Sequence, residues 1–309
     1  MGNIRFGLLA LAAATVTFAA AWAIGNPYVF FAGYVVLQYV VLATAWNILG
    51  GYTGYVNFGT AAFFAMGAYT TVVLHKTVPV LPLPAMMLAG GAISALIGLG
   101  MGYLTLRLRG TFFSIATLAM AVVAQTLITN WNFVGGSRGA YIVRPRLSPI
   151  FPGDYIQYLF VIMLLLSVLA VVVARAIQHS RLGYGFAAIR DDEPAAEASG
   201  VPTLRLKLIA TALSGGLMGM AGAPLPYYVT YLDPASGFSL SYAVNTIAMP
   251  LIGGTATWLG PLIGAVLLGT LQQVATVTIS SALSLLLVGL LLVGFVVAAP
   301  KGIVGWFQR

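Results

Sequence analysis

Cysteine is absent from this chain, and histidine occurs only at His75 and His179. The first absence excludes a disulfide framework and a thiolate metal site. The second leaves two distant imidazoles, a poor basis for a metal centre. Charge is nearly as scarce: 6% of residues are Asp, Glu, Lys or Arg, against 60% hydrophobic. A soluble domain carries about 25% charged residues, so a globule of this composition lacks the polar groups to cover its surface. Lipid is the solvent that removes the difficulty. In lipid every backbone polar group must be paired internally, which leaves helices or a closed barrel. A barrel needs ten-residue segments of alternating polarity, whereas runs such as Tyr158 to Ala174 are continuously apolar. The fold class is therefore all-α, a polytopic transmembrane bundle.

A third absence lies inside the apolar runs. They hold essentially no Asp, Glu, Lys, Arg or His away from their ends, and Asp154 and Asp233 both fall near span ends. An ionisable group in the membrane marks a proton relay or a charged-ligand site. Its lack argues against a proton-driven carrier, although Na⁺ coupling through unwound carbonyls stays open. It also leaves no Ser–His–Asp set and no paired carboxylates for catalysis. A phosphate-binding Gly–Lys–Ser/Thr loop is missing too, so the chain itself is expected to hydrolyse nothing and to hold no cofactor.

What is present is length. A helix crossing the hydrocarbon needs about 20 apolar residues. That ruler places spans near 5–24, 28–49, 52–74, 83–106, 110–130, 155–175, 207–230, 239–254, 257–279 and 283–299, about ten in a single domain, 1–309. The first apolar stretch exceeds a signal-peptide core and is read as a retained span. The net charge of +8 is scattered over short loops and forms no helix face, so it reads as cytoplasmic positive charge rather than a nucleic-acid surface. Arg5, Arg107 with Arg109, the loop of about 176–206, and Lys301 with Arg309 then share the cytoplasmic side, with both termini. Against this parity, the external loop of about 131–154 carries Arg138, Arg144 and Arg146.

Three segments stand out. In Asn47 to Tyr69, Gly50, Gly51, Gly54, Gly59 and Gly67 lie among Asn47, Tyr52 and Asn57. Small residues let membrane helices approach closely. The same glycines also fit a broken helix beside a substrate path. Asn245 to Thr270 repeats the texture with Asn245, Gly253, Gly254, Gly260 and Pro261, and 239–254 is short for a span, so either segment is a candidate for a discontinuous helix. The loop 176–206 holds four of the six acidic residues, Asp191, Asp192, Glu193 and Glu197, together with Arg181 and Arg190. Asp192 or Glu193 suits the cap of a short helix that Pro194 opens. A solvated loop and a docking rim for a soluble partner are both compatible with that pattern.

The stretch from Ser180 to Ala223 resembles the cytoplasmic loop and following span of LivM-type permeases, membrane subunits of ATP-binding cassette importers for branched-chain amino acids and related solutes. The Gly-rich segment, Leu106 to Met120 and Leu251 to Ala265 are similar to the family in the same order. The resemblance implies a bacterial inner-membrane permease and a LivH-type permease partner. It also implies two ATPase subunits that hold ATP and Mg²⁺, and an external binding protein. Arg181, Gly183, Arg190, Asp191, Asp192, Glu193, Glu197 and Gly200 would then form the ATPase-coupling segment. Family members often carry Gln, Ser and His where this chain has Tyr55, Asn57 and Thr60, which leaves urea, short amides and aromatic acids as alternative substrates. The rival readings are a stand-alone carrier or facilitator of a small neutral solute, and a membrane scaffold without a path.

Overall fold

The computed structural model describes residues 3–105, 107–108, 110–145, 153–278, 286, 289–291, 293–294 and 302–307. The long helices are α1 (Asn3–Ile24), α2 (Pro27–Leu49), α3 (Thr60–Thr77), α4 (Leu83–Thr105), α5 (Thr111–Thr129) and α6 (Tyr155–Gln178). Two short helices follow, α7 (Arg181–Asp191) and α8 (Glu193–Ala198), and then α9 (Thr203–Gly222). Beyond it come α10 (Leu225–Val229), α11 (Pro234–Gly237), α12 (Leu240–Gly253), α13 (Leu259–Thr278) and a last short helix, Gly302–Phe307. Seven of the described helical segments are long and apolar enough to cross a membrane, α9 and α10 counting as one. Nine of the ten expected spans coincide with helices, and 283–299 lies largely outside the described residues.

Two expected spans differ in form. The segment 50–59 is not helical, and α3 starts only at Thr60. The α12 helix has 14 residues, about 21 Å at 1.5 Å per residue. That is shorter than the roughly 30 Å hydrocarbon core, so α12 does not cross alone. The short helices α10 and α11 precede it in the chain.

The core is α2, α3, α4 and α9, joined through small residues. A Cβ on Gly67 would collide with the Gly219 carbonyl, and one on Gly90 would stand 3.2 Å from Gly67. Ser94 at this crossing donates to the Phe63 carbonyl at 2.9 Å. Lipid tails are as apolar as Leu, so such close backbone approach is what holds membrane helices together. By contrast α1 and α5 turn Leu8, Leu9, Val16, Ile115 and Leu127 outward.

Local chemistry sets the ends. Asn26 caps α2 by accepting from the Tyr28 amide at 2.9 Å, with Pro27 at the first helical position. At one end of the bundle the two-residue strands β1 (Ala140–Tyr141) and β2 (Tyr231–Leu232) pair antiparallel, Ala140 opposite Leu232. Lys76 donates there to the Phe133 carbonyl at 2.8 Å, and Arg144 donates to the Tyr227 and Tyr228 carbonyls at 2.7 and 3.0 Å. Two cations on the supposed outer side are thus spent on local carbonyls, which accounts for part of the exception to the charge bias. At the opposite end lie Phe6, Arg175, Trp258 and Gly302. Arg175 stacks on Phe6 at 4.1 Å and on Trp258 at 5.4 Å, and Gly302 sits tight against Gly254. The start of α1, the helices α7 and α8, and Gly302–Phe307 therefore share one end.

Candidate functional site at the α7–α8 end

The segment after α2 unwinds because its glycines hold a helix weakly and its polar side chains compete for the freed backbone groups. The amides of Gly51 and Tyr52 both turn back to the Asn47 carbonyl, at 2.9 and 2.8 Å. Gly54 has a φ of 78°, a left-handed conformation that any other residue adopts only under strain. Asn57 closes the segment: its Oδ1 accepts from the Gly59 amide at 2.7 Å and its carbonyl accepts from Trp46 Nε1 at 2.9 Å.

This unwound segment lies against α7 and α8. A Cβ on Gly54 would stand 3.2 Å from Arg190 Cγ. Beside it is a buried polar cluster. Lys207 Nζ on α9 donates to Glu193 Oε1 on α8 at 2.7 Å and to the Tyr55 hydroxyl at 3.1 Å. The Tyr55 hydroxyl donates to Glu193 Oε2. The side chains of Lys207 and Glu193 are only 4% and 10% exposed. The ammonium also lies 4.7 Å from the Tyr55 ring centroid, and that ring meets Phe113 of α5 edge-on at 5.0 Å. A buried ion pair is tolerated only where geometry and extra hydrogen bonds offset desolvation, and the tyrosine supplies those bonds. The cluster ties α8, α9, α5 and the α2–α3 connection together.

Arg181, Arg190, Asp191, Asp192 and Glu197 are exposed along α7 and α8, whereas Glu193 is turned inward. Asp192 caps α8, accepting from the Ala195 amide at 3.0 Å, and Pro194 is the second helical residue rather than the first. Gly183 packs against the end of α6, near the Ile177 carbonyl, and Gly200 faces open space with a φ of 84°. Glu197 accepts from Thr203 at 2.6 Å, which pins the α8–α9 turn. We expect Asp192→Ala to cost about 1 kcal/mol of local helix stability. Hydrogen exchange at α8 amides, Ala195 first, should then speed up roughly fivefold.

The predicted path residues divide. Asn47, Gly50, Gly51, Tyr52, Gly54, Asn57 and Gly59 gather at the α7–α8 end rather than at mid-membrane. Gly253 and Gly254 join them: Asn47 Nδ2 reaches the Thr257 carbonyl at 3.5 Å, and a Cβ on Gly51 would meet the Thr255 carbonyl at 2.8 Å. The two Gly-rich segments are thus brought together. Gly253, Gly260 and Gly264 bring α12 and α13 into backbone contact, which is the packing reading of that segment. Asn245 stands apart on α12, donating to the Tyr39 hydroxyl at 3.2 Å and accepting from Gln272 at 3.0 Å.

Sequence reasoning did not single out Lys207. A lysine four residues inside a membrane helix in a chain this poor in charge needs a partner, and that was the available signal. Tyr184, 74% exposed on α7, was also overlooked.

The family described as the permease component of the branched-chain amino acid transport system is matched over residues 28–296. The high-affinity branched-chain amino acid transport system permease protein LivM of Salmonella typhimurium is 28% identical, over 86% of this chain and 67% of the relative. The Escherichia coli LivM protein is 27% identical over the same shares. A probable branched-chain amino acid transport permease protein LivH of Methanocaldococcus jannaschii is 25% identical, over 86% of this chain and 88% of the relative. No solved structure matches. A match that runs from the start of α2 past α13, on a bundle of membrane-length helices, makes this chain a member of the branched-chain amino acid transport system permease family.

Proposed function

We propose that the chain is the membrane permease subunit of an ATP-driven importer for branched-chain amino acids or a related small polar solute, working by alternating access. A LivH-type permease, two ATPase subunits carrying ATP and Mg²⁺, and an external binding protein complete the assembly. The α7–α8 end and both termini face the cytoplasm. The observation that carries this reading is the buried Tyr55–Glu193–Lys207 cluster. It makes α7 and α8 a lever: their outer face is charged and exposed, and their inner face is bolted to α9 and to the α2–α3 connection. A push on the docking face by an ATPase is passed to three membrane helices at once.

The test is uptake in liposomes. The chain alone gives no flux, and flux appears when the paired permease, the ATPases and ATP are added. Arg190→Glu, Glu197→Lys and Tyr184→Ala insert normally. The two charge reversals lower uptake at least about tenfold, as a like-charge contact costing about 1.4 kcal/mol or more would do. Normal uptake in all three variants, or flux with the chain alone, overturns the coupling role.

A further inference from the structure

The α7–α8 end leaves a polar cleft elsewhere in the bundle unexplained. Between α2, α10, α11 and α12 lies a cleft of about 360 Å³, lined by Gln38, Tyr39, Ser236, Ser239, Ser241 and Tyr242 among others. Its volume falls in the range of small-molecule sites. The lining residues of α2 are 8 to 12 positions from the start of that helix, a depth of about 12–18 Å. The start of α12 opens on it, since Ser239, Ser241 and Tyr242 are among the lining residues.

Two features point to a ligand. Gln38 is only 2% exposed and lines the cleft, yet its Nε2 has no hydrogen-bond partner among the described residues. One turn away on the same helix face the buried Tyr34 hydroxyl is also unpartnered. A buried donor left unpaired costs about 1–3 kcal/mol, so two on one face need a reason. The second feature is the start of α12, where Ser239 and Ser241 stand at the positive end of the helix dipole. No Lys or Arg lines the cleft, so a full anion would enter without a counter-charge. Asp233 lies one hydrogen bond behind the lining, its carboxylate accepting from Ser236 at 2.7 Å. Val35, Leu225 and Val229 supply an apolar wall.

We infer that this cleft is a solute-binding site within the chain, for a small molecule of no net charge that presents an oxygen acceptor to Gln38 and the start of α12. An amino-acid zwitterion and a neutral amide share that chemistry. The inference rests on the permease reading for its role, but the site is testable alone.

The chain has no cysteine, so Ser241→Cys in the full-length protein is a unique reporter. In nanodiscs its modification by a small methanethiosulfonate reagent is timed with leucine, acetamide, urea or isovalerate present. Ser137→Cys on the exposed external loop is the control. Leucine or one of the amides should slow Ser241→Cys about tenfold at ten times its Kd, following the factor 1 + [L]/Kd. Isovalerate, which keeps the carboxylate and apolar tail but carries net charge, should not. Which solute protects separates the zwitterion from the amide. Gln38→Leu should abolish protection, measured against that variant's own unprotected rate; if it does not fold, Gln38→Met removes the donor at similar volume with the same expected loss. Protection by no solute, equal protection by isovalerate, or protection surviving at position 38 overturns the site. ATP-driven uptake by the assembled complex is measured in parallel. Uptake without protection removes the site and leaves the importer; protection without ATP-dependent uptake keeps the site and removes the importer.

Discussion

Lys207→Met should destabilise the protein by about 3–5 kcal/mol, because it strands the Glu193 carboxylate in a buried position. The pair is at 2.7 Å with both side chains nearly excluded from solvent. Glu193→Leu should be comparably damaging from the other side. Changing both together removes the stranded charge, and buried pairs replaced by apolar groups of similar volume are often neutral or better. The double variant Lys207→Met/Glu193→Leu should therefore recover most of the loss. Tyr55→Phe should cost less, about 1.5–3 kcal/mol, the worth of a hydrogen bond to a charged group. Thermal unfolding in detergent gives the order: the single changes lowest, Tyr55→Phe between, and the double variant near the starting protein. Additive losses in the double variant would mean that the pair is not coupled. The recovered double variant then separates stability from function. It keeps the packing of α8 on α9 but loses the directional bonds to Tyr55, so uptake per ATP should fall while hydrolysis by the ATPases continues.

The bundle was legible because a bilayer imposes one length on every crossing helix, and length is visible in sequence. The same ruler failed where crossing and helix part company. The expected span at 52–74 begins with residues that pair back onto Asn47 and Leu49, so the apolar run includes a connection that hydropathy cannot tell from a helix. The shortness of 239–254 was visible, and α12 is indeed only 14 residues long. The two readings of the glycines came out divided by position. Gly54 belongs to a break, while Gly67, Gly253 and Gly260 belong to helix contacts. Spacing does not separate these, because both demand the same missing side chain. The helices α7 and α8 were legible through their charge and capping residues, but burial was not: Glu193 and Asp192 are neighbours of one chemistry, and only the fold turns one inward. Gln38 gave no signal at all, being one polar residue in a long apolar run.

Gly67→Leu should be the most damaging change in the membrane core. A Cβ at Gly67 meets the backbone carbonyl of Gly219, and Gly90 approaches from the third helix. Backbone cannot rotate aside as a side chain does, so α3 and α9 must separate or bend. Overpacking a tight core costs about 1–3 kcal/mol and sometimes more, and here the separation also removes the contacts that hold α4 to α9. No hydrophobic gain compensates, since the displaced helix surface meets lipid as apolar as the protein. Ser94 would be drawn in as well, because its bond to the Phe63 carbonyl spans the same crossing. Gly100 is the matched control: it lies on α4 with nothing within 4 Å of its Cβ direction. Gly100→Leu should leave yield and thermal midpoint close to the starting protein, and Gly67→Leu should lower both steeply. Equal behaviour would show that the three helices are not packed through their glycines. The outcome also bears on mechanism. A block of α3, α4 and α9 locked by backbone contact should move as one body, so the lever proposed above, tied to α9 through Lys207, would displace all three helices rather than bend one.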